Sequence, residues 1–291
     1  MRILLLGSSG QVGWEAQRSL APLGEVIGYD YPEVDFSRPE RLYRQVLELR
    51  PDVIYNAAAY TAVDKAEREP ERARVVNAAS TGVLAEAAAK LGAVLVHFST
   101  DYVFDGKKGF PYTESDPTDP LNVYGLTKLE GEQAIQQVGG AYLIFRTAWV
   151  YSKRRDSFLS KVLQWSRERS SLRVVADQVS NPTWARMLAE ITGQLLARGG
   201  ENLFDWVIER SGVYHLAGDG IASRFDWARA ILQNARTDAG EPVEVLPAES
   251  SEFPSPAVRP LYSALDCSRF ADTFGLRLPA WEKALSMAMQ E

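Results

Sequence analysis

A four-residue apolar run, Ile3-Leu4-Leu5-Leu6, passes directly into Gly7-Ser8-Ser9-Gly10-Gln11-Val12-Gly13, and residues 11–20 then carry helical spacing. Three glycines between a strand and a helix leave the backbone few arrangements. They allow a tight turn, a close approach of a ligand to the main chain, and close packing of helix on strand. The first turn of such a helix presents unpaired N–H groups and a partial positive charge, which suit a pyrophosphate. Asp30 ends the next apolar run, 25–29, about 20 residues on, where a carboxylate accepts hydrogen bonds from an adenosine ribose. The combination predicts a dinucleotide site. An ordinary glycine turn followed by a solvated carboxylate is the competing interpretation. Asp35 and Phe36 follow closely enough to continue an adenosine pocket, although Phe36 fits a core position equally well.

The same rhythm continues. Residues 52–56, 94–98 and 142–145 read as further strands, with helices expected after Ser37-Arg38-Pro39, within 72–91 and over 123–137. Apolar strands alternating with helices indicate a doubly wound parallel sheet of Rossmann type. After Trp149 the pattern loosens. Residues 158–167, 184–196, 225–235 and 281–289 look helical and 213–216 looks like one more strand. Residues 247–260, with four prolines, read as a loop. The expected organisation is a dinucleotide-binding domain over 1–150, joined by a returning strand near 213–217. Residues 151–291 then form mainly a smaller, closely packed α/β substrate lobe.

Composition narrows the function. The net charge of −6 argues against a general nucleic-acid binder, which carries a basic excess. No stretch approaches the ~20 apolar residues that span a bilayer, and the first apolar run is too short for a signal-peptide core. Cys267 is the only cysteine, which excludes an intramolecular disulfide and a cysteine-based zinc site and fits a reducing cytoplasm. With two histidines, both inside apolar strand patterns, a catalytic transition metal is not expected.

Two motifs carry chemistry. Tyr124-Gly125-Leu126-Thr127-Lys128 puts a phenol and an ammonium on one helical face, where the positive charge is expected to draw the tyrosine pKa toward the working range. Ser99-Thr100-Asp101 follows the fourth strand at the carboxyl edge, where open α/β sheets hold ligands. There Thr100 could bond the reacting oxygen and Asp101 a substrate hydroxyl; a capped strand end is the alternative. These residues suggest oxidation or reduction of a small polar substrate by a nicotinamide dinucleotide.

Together the motifs resemble the extended short-chain dehydrogenases/reductases. The blocks Asn56-Ala57-Ala58-Ala59-Tyr60-Thr61-Ala62-Val63-Asp64-Lys65-Ala66-Glu67, Phe145-Arg146-Thr147-Ala148-Trp149-Val150-Tyr151 and Pro256-Ala257-Val258-Arg259-Pro260 sharpen the match to the dTDP-4-dehydrorhamnose reductase family. The resemblance implies reduction of a C4 ketone on a dTDP-sugar with NADPH or NADH. It implies that Tyr124 is the proton donor, with Lys128 beside it on the nicotinamide ribose and Thr100 on the C4 oxygen. Asp101 and Trp149 would meet the sugar, and Arg259 the pyrophosphate of the substrate. Gly7, Gly10, Gln11, Val12 and Gly13, with Asp30, Asp35, Phe36, Ala59, Tyr60 and Thr61, would line the cofactor. Because no arginine follows Asp30 directly, NADH is expected to serve at least as well as NADPH. Some members are described as magnesium-dependent homodimers held through acidic clusters. Glu15 fits such a cluster, but Arg186 stands where a partner carboxylate is expected, which counts against magnesium and leaves a homodimer open. Two other identities compete: another nucleotide-sugar reductase or epimerase, and a non-catalytic dinucleotide-binding regulatory subunit of the methionine adenosyltransferase type.

Overall fold

Short apolar segments form the centre of the protein. In the computed structural model, which describes residues 1–235 and 243–290, six of them make a parallel sheet. Its order is Gly212–His215, Tyr142–Thr147, Val94–Thr100, Val53–Asn56, Arg2–Leu6, Glu25–Tyr29. Successive side chains of a strand point to opposite faces. Thus Leu5, Tyr55, Val96 and Phe145 enter one core, and Leu4, Ile54, Leu95 and Ile144 enter the other. Helices cover both faces, so both faces must be apolar. This is the doubly wound, Rossmann-type sheet that the sequence predicts.

The order reverses between Arg2–Leu6 and Val53–Asn56. At such a switch point the connections leave in opposite directions and open a crevice at the carboxyl ends of the strands. The glycine turn and the segment that starts at Ala57 flank that crevice. Helix Ala185–Gly199 packs its Leu188 and Ala189 into the core that holds Ala16 and Leu20 of helix Gln11–Leu20.

A second, smaller α/β unit collects helices Phe158–Glu168, Arg224–Asn234 and Trp281–Gln290 around the buried Trp227. Its two-stranded parallel ribbon pairs Ser171–Val175 with Glu244–Ala248. The expectation of a loop over 247–260 therefore fails at its start. Pro247 stands opposite Val174 inside the ribbon, which tolerates a residue without an N–H because a two-stranded ribbon has free edges. Ser171–Val175 carried too short an alternation to be read as a strand, and helices Leu203–Ile208 and Ser268–Phe274 were too short to declare a period. The helix expected within 72–91 begins at Pro70 and widens to a π turn over Val75–Ala79 before continuing as Ser80–Leu91.

Candidate active site

A cleft of about 690 Å³ opens at the switch point. Gly7, Gly10, Gln11, Val12, Asp30, Ala59, Thr61, Tyr124 and Lys128 line it, together with Ser9, Phe98, Ser99, Thr147, Val150, Arg155 and Asp156. Gly13 lies behind the turn. A Cβ there would stand 2.1 Å from the Gly7 carbonyl oxygen, so only glycine lets the helix start this close to its strand. No side chain caps the N-terminus of helix Gln11–Leu20, which leaves its first N–H groups facing the cleft mouth. This cradle fits a dinucleotide pyrophosphate.

Asp30 accepts hydrogen bonds from the Ser9 hydroxyl, the Ser9 amide at 3.1 Å and the Tyr31 amide at 2.8 Å. Burial pushes its carboxyl up, but these bonds and the charge of Arg155 outweigh it and hold the group below its usual value. Asp35, Phe36 and Tyr60 are not among the residues lining the cleft. Asp35 is engaged by the Ser37 amide and hydroxyl at 2.9 and 2.6 Å, and the Phe36 ring packs on the second core. The Tyr60 hydroxyl donates to Glu69 at 3.0 Å. Its backbone is clamped by buried Asn77 in the π turn, which accepts from the Tyr60 amide at 2.8 Å and donates to Thr127 at 3.1 Å.

Tyr124 and Lys128 belong to helix Val123–Val138, capped by Asn122, whose side chain accepts from the Gly125 amide at 2.8 Å. A Cβ on Gly125 would meet the Tyr102 carbonyl oxygen at 2.1 Å. That glycine therefore lets the helix press against the turn after Thr100. Lys128 is buried. It donates to the Phe98 carbonyl at 2.6 Å and lies 3.0 Å from His97 Nε2, while His97 Nδ1 meets Asn56 at 3.0 Å. An ammonium has three donors, so one remains for the cleft that Lys128 lines. Burial draws Lys128 down to about 8 against the opposing pull of Glu132. One turn further along the helix, Glu132 pairs with buried Arg146 at 2.7 Å and accepts from Ser99, which locks the helix to the sheet.

The tyrosine itself departs from expectation. Burial pushes its phenol above the usual value, opposed by a hydrogen bond with Thr100 and reinforced by the charge of Asp101. The lysine does not draw it down, because its ammonium turns inward to Phe98 and His97. The phenol therefore stays protonated, the form a proton donor requires.

Thr100, Asp101, Trp149 and Arg259 are not among the residues lining this cleft. Thr100, next to the lining Ser99, accepts from the Tyr102 amide at 3.1 Å and donates to Asp101 at 3.1 Å. The buried Asp101 carboxylate also accepts from Ser180 at 3.1 Å and from Ser263. It thus ties the carboxyl end of its strand to two segments distant in sequence. Despite these bonds, burial pushes its carboxyl up to about 6. Trp149 adopts φ +40, a left-handed conformation that costs a non-glycine residue about 1–2 kcal/mol. Its ring stacks on Trp227 at 5.6 Å, with the Arg224 guanidinium 3.6 Å from its centroid. Arg259 donates to Asp64 at 2.7 Å and to Ser255 and Ala257, which hold it in place. Arg224 and Arg259 share with Phe158, Trp165, Arg173 and Phe253 a second hollow of about 310 Å³.

Sequence reasoning missed Arg155, Arg224 and Asn77. None stands in a periodic or glycine-marked motif, and each reaches the site only through chain folding. Elsewhere, Arg186 donates to Glu15 at 3.2 Å, so a guanidinium supplies the positive charge at that carboxylate. Among the described residues no three or more His, Cys, Asp or Glu converge on a cation site. No helix among them is long and apolar enough to cross a membrane.

The family model described as the RmlD substrate binding domain matches residues 1–291. A dTDP-4-dehydrorhamnose reductase of Burkholderia thailandensis is 44% identical over 295 residues, covering 100% of this chain and 99% of the relative. A crystal structure of a dTDP-4-dehydrorhamnose reductase from Clostridium acetobutylicum superimposes with a TM-score of 0.91 at 35% identity, covering 100% and 99% of the two chains. A reductase of the same name from Bacillus anthracis, in complex with NADP, gives 0.90 at 33% identity, over 99% and 98%.

Proposed function

The chain belongs to the dTDP-4-dehydrorhamnose reductase family and is an NAD(P)H-dependent oxidoreductase, and from that premise we infer the roles of its site residues. The reaction is reduction of the C4 ketone of dTDP-4-dehydro-L-rhamnose to dTDP-L-rhamnose. The observation that carries the assignment is one cleft lined by the glycine turn, Asp30, Tyr124 and Lys128, with the Tyr124 phenol hydrogen-bonded to Thr100.

When bound, the nicotinamide supplies the hydride that reduces C4. Tyr124 donates its phenolic proton to the C4 oxygen as negative charge develops there, and water then restores the proton. A positioned donor of this kind contributes about 10²–10⁴ in rate. Thr100 hydrogen-bonds the same oxygen, and Lys128 holds the nicotinamide ribose with its remaining donor. Gly7, Gly10, Gln11, Val12, Ala59 and Thr61 form the cofactor wall, and Asp30 receives the adenosine ribose. Trp149 and Asp101 shape the sugar pocket; with its oxygens already accepting from Ser180 and Ser263, Asp101 acts mainly by holding that wall together. Arg259, with Arg224 beside it, faces the hollow suited to the dTDP group, since guanidinium forks match phosphate oxygens and aromatic rings match a base. In this reading residues 1–150 form the cofactor domain and 151–291 mainly the substrate lobe, and the protein works in the cytoplasm, open to a homodimeric state.

The test is direct. Purified protein is incubated with dTDP-4-dehydro-L-rhamnose and NADPH or NADH, cofactor absorbance is followed, and the product is identified by NMR. Formation of dTDP-L-rhamnose is expected. Turnover confined to UDP- or GDP-linked keto-sugars would move the assignment to another nucleotide-sugar enzyme, and tight cofactor binding without turnover to a regulatory subunit.

A further inference from the structure

Asp30 creates a conflict within the cofactor site. A carboxylate at the end of the second strand suits the free hydroxyls of an adenosine ribose and repels a 2′-phosphate. Where such sites accept the phosphorylated cofactor, a nearby arginine offsets the repulsion. No basic residue follows Asp30 directly: the next residues are Tyr31, Pro32 and Glu33, and Arg38 beyond them pairs with Asp35. The tertiary structure supplies one from 125 residues downstream. Arg155, in the segment 153–156, donates from Nη2 to the Ser9 hydroxyl at 2.8 Å, and Ser9 in turn donates to Asp30. All three residues line the cofactor cleft.

The segment is anchored beside this contact. The guanidinium of the adjacent Arg154 lies 3.1 Å from the ring centroid of Trp14 on helix Gln11–Leu20. Arg155 is exposed to solvent at the cleft wall and carries five N–H donors, one of them given to Ser9. Its charge already acts on Asp30. Carboxylate, hydroxyl and guanidinium thus form a row at the end of the cleft that takes the adenosine ribose. With a free ribose, Asp30 is the acceptor. With a phosphorylated ribose, the guanidinium is the donor, and Ser9, released from it, bonds either group.

We propose that Arg155 is the receptor for the 2′-phosphate, so that the segment 153–156 sets the preference between NADPH and NADH. The proposal rests on the NAD(P)H-dependent reading of the cleft and adds a residue that decides which of the two cofactors it favours. A charge-assisted hydrogen bond to phosphate corresponds to about a ten- to hundredfold change in affinity.

The experiment compares wild type, Arg155→Ala and Arg155→Lys by calorimetric titration with NADP⁺ and with NAD⁺, alongside steady-state kcat/KM for NADPH and NADH. In Arg155→Ala the ratio of the NADP⁺ to the NAD⁺ dissociation constant should rise about ten- to hundredfold. The kcat/KM ratio should move in parallel, and Arg155→Lys should lie between alanine and wild type. An unchanged ratio overturns the proposal. So does an equal loss for both cofactors, which would make Arg155 a clamp on their shared pyrophosphate. If the wild-type protein binds neither dinucleotide, the reading of the cleft itself fails, a result separate from any effect of Arg155.

Discussion

The cofactor cleft and the neighbouring wall proposed for the substrate are built differently. The cofactor wall is continuous with the central sheet: a glycine turn leaves one strand, and Lys128 is held by the carbonyl and histidine of another. Its helix is fixed to the sheet by a buried ion pair. The substrate wall is assembled from segments scattered over the last two thirds of the chain. Asp101 joins Ser180 and Ser263, Arg224 lies over Trp149, and Arg259 reaches back to Asp64. The first wall is preorganised by backbone geometry and the second by side chains that meet only after folding. In the proposed reading, a dinucleotide common to many enzymes is thus met by the rigid half, and the group that distinguishes one substrate from another by the half whose contacts are easier to exchange.

Tyr124 sits on the seam, and its removal should have the largest effect. Tyr124→Phe keeps the ring and deletes the proton, so kcat and kcat/KM should fall together by about 10²–10⁴ while both ligands still bind. Single-turnover oxidation of bound NADH reads this directly, and a variant as fast as wild type would assign the proton to another group.

The rigidity of the cofactor wall is tested next by Arg146→Leu. It strands the buried Glu132 carboxylate, and breaking such a pair costs about 3–5 kcal/mol. Urea unfolding should show that loss. If stability is unchanged, the ion pair does not fix the helix and the contrast between the two walls weakens.

Asp101 tests the other wall with a smaller effect. Its carboxyl lies near 6 when folded and starts from 3.8. As pH rises from about 4 to 6, the unfolded chain gives up this proton before the folded one does, so stability falls across that window. About two pKa units correspond to about 3 kcal/mol. Asp101→Asn should abolish that part of the slope in unfolding titrations at pH 4, 5 and 6. A slope equal to that of wild type would show that the substrate wall bears no such electrostatic strain.

Much of the cofactor wall was legible in the chain itself, for local reasons. A glycine turn, apolar strands of alternating facing and a Tyr-x-x-x-Lys pair all act within one or two turns of backbone, so their spacing survives folding unchanged. That is why Gly10, Asp30, Tyr124 and Lys128 line the cleft as expected. Asp35 and Phe36 do not, because proximity to Asp30 along the chain is not proximity in space: the backbone turns away and Phe36 joins the core. The chain likewise carried no sign that the phenol of Tyr124 would rise. That outcome depends on burial and on the direction in which Lys128 points, and both are set by partners on other strands. Nor did it announce Arg155 beside Asp30 or Arg224 over Trp149. Local periodicity determined the sheet, the turn and the helix that carries Tyr124 and Lys128. Only the tertiary structure decided which charges face one another across the cleft, because the field at a buried group sums over everything packed around it, whatever its distance in sequence.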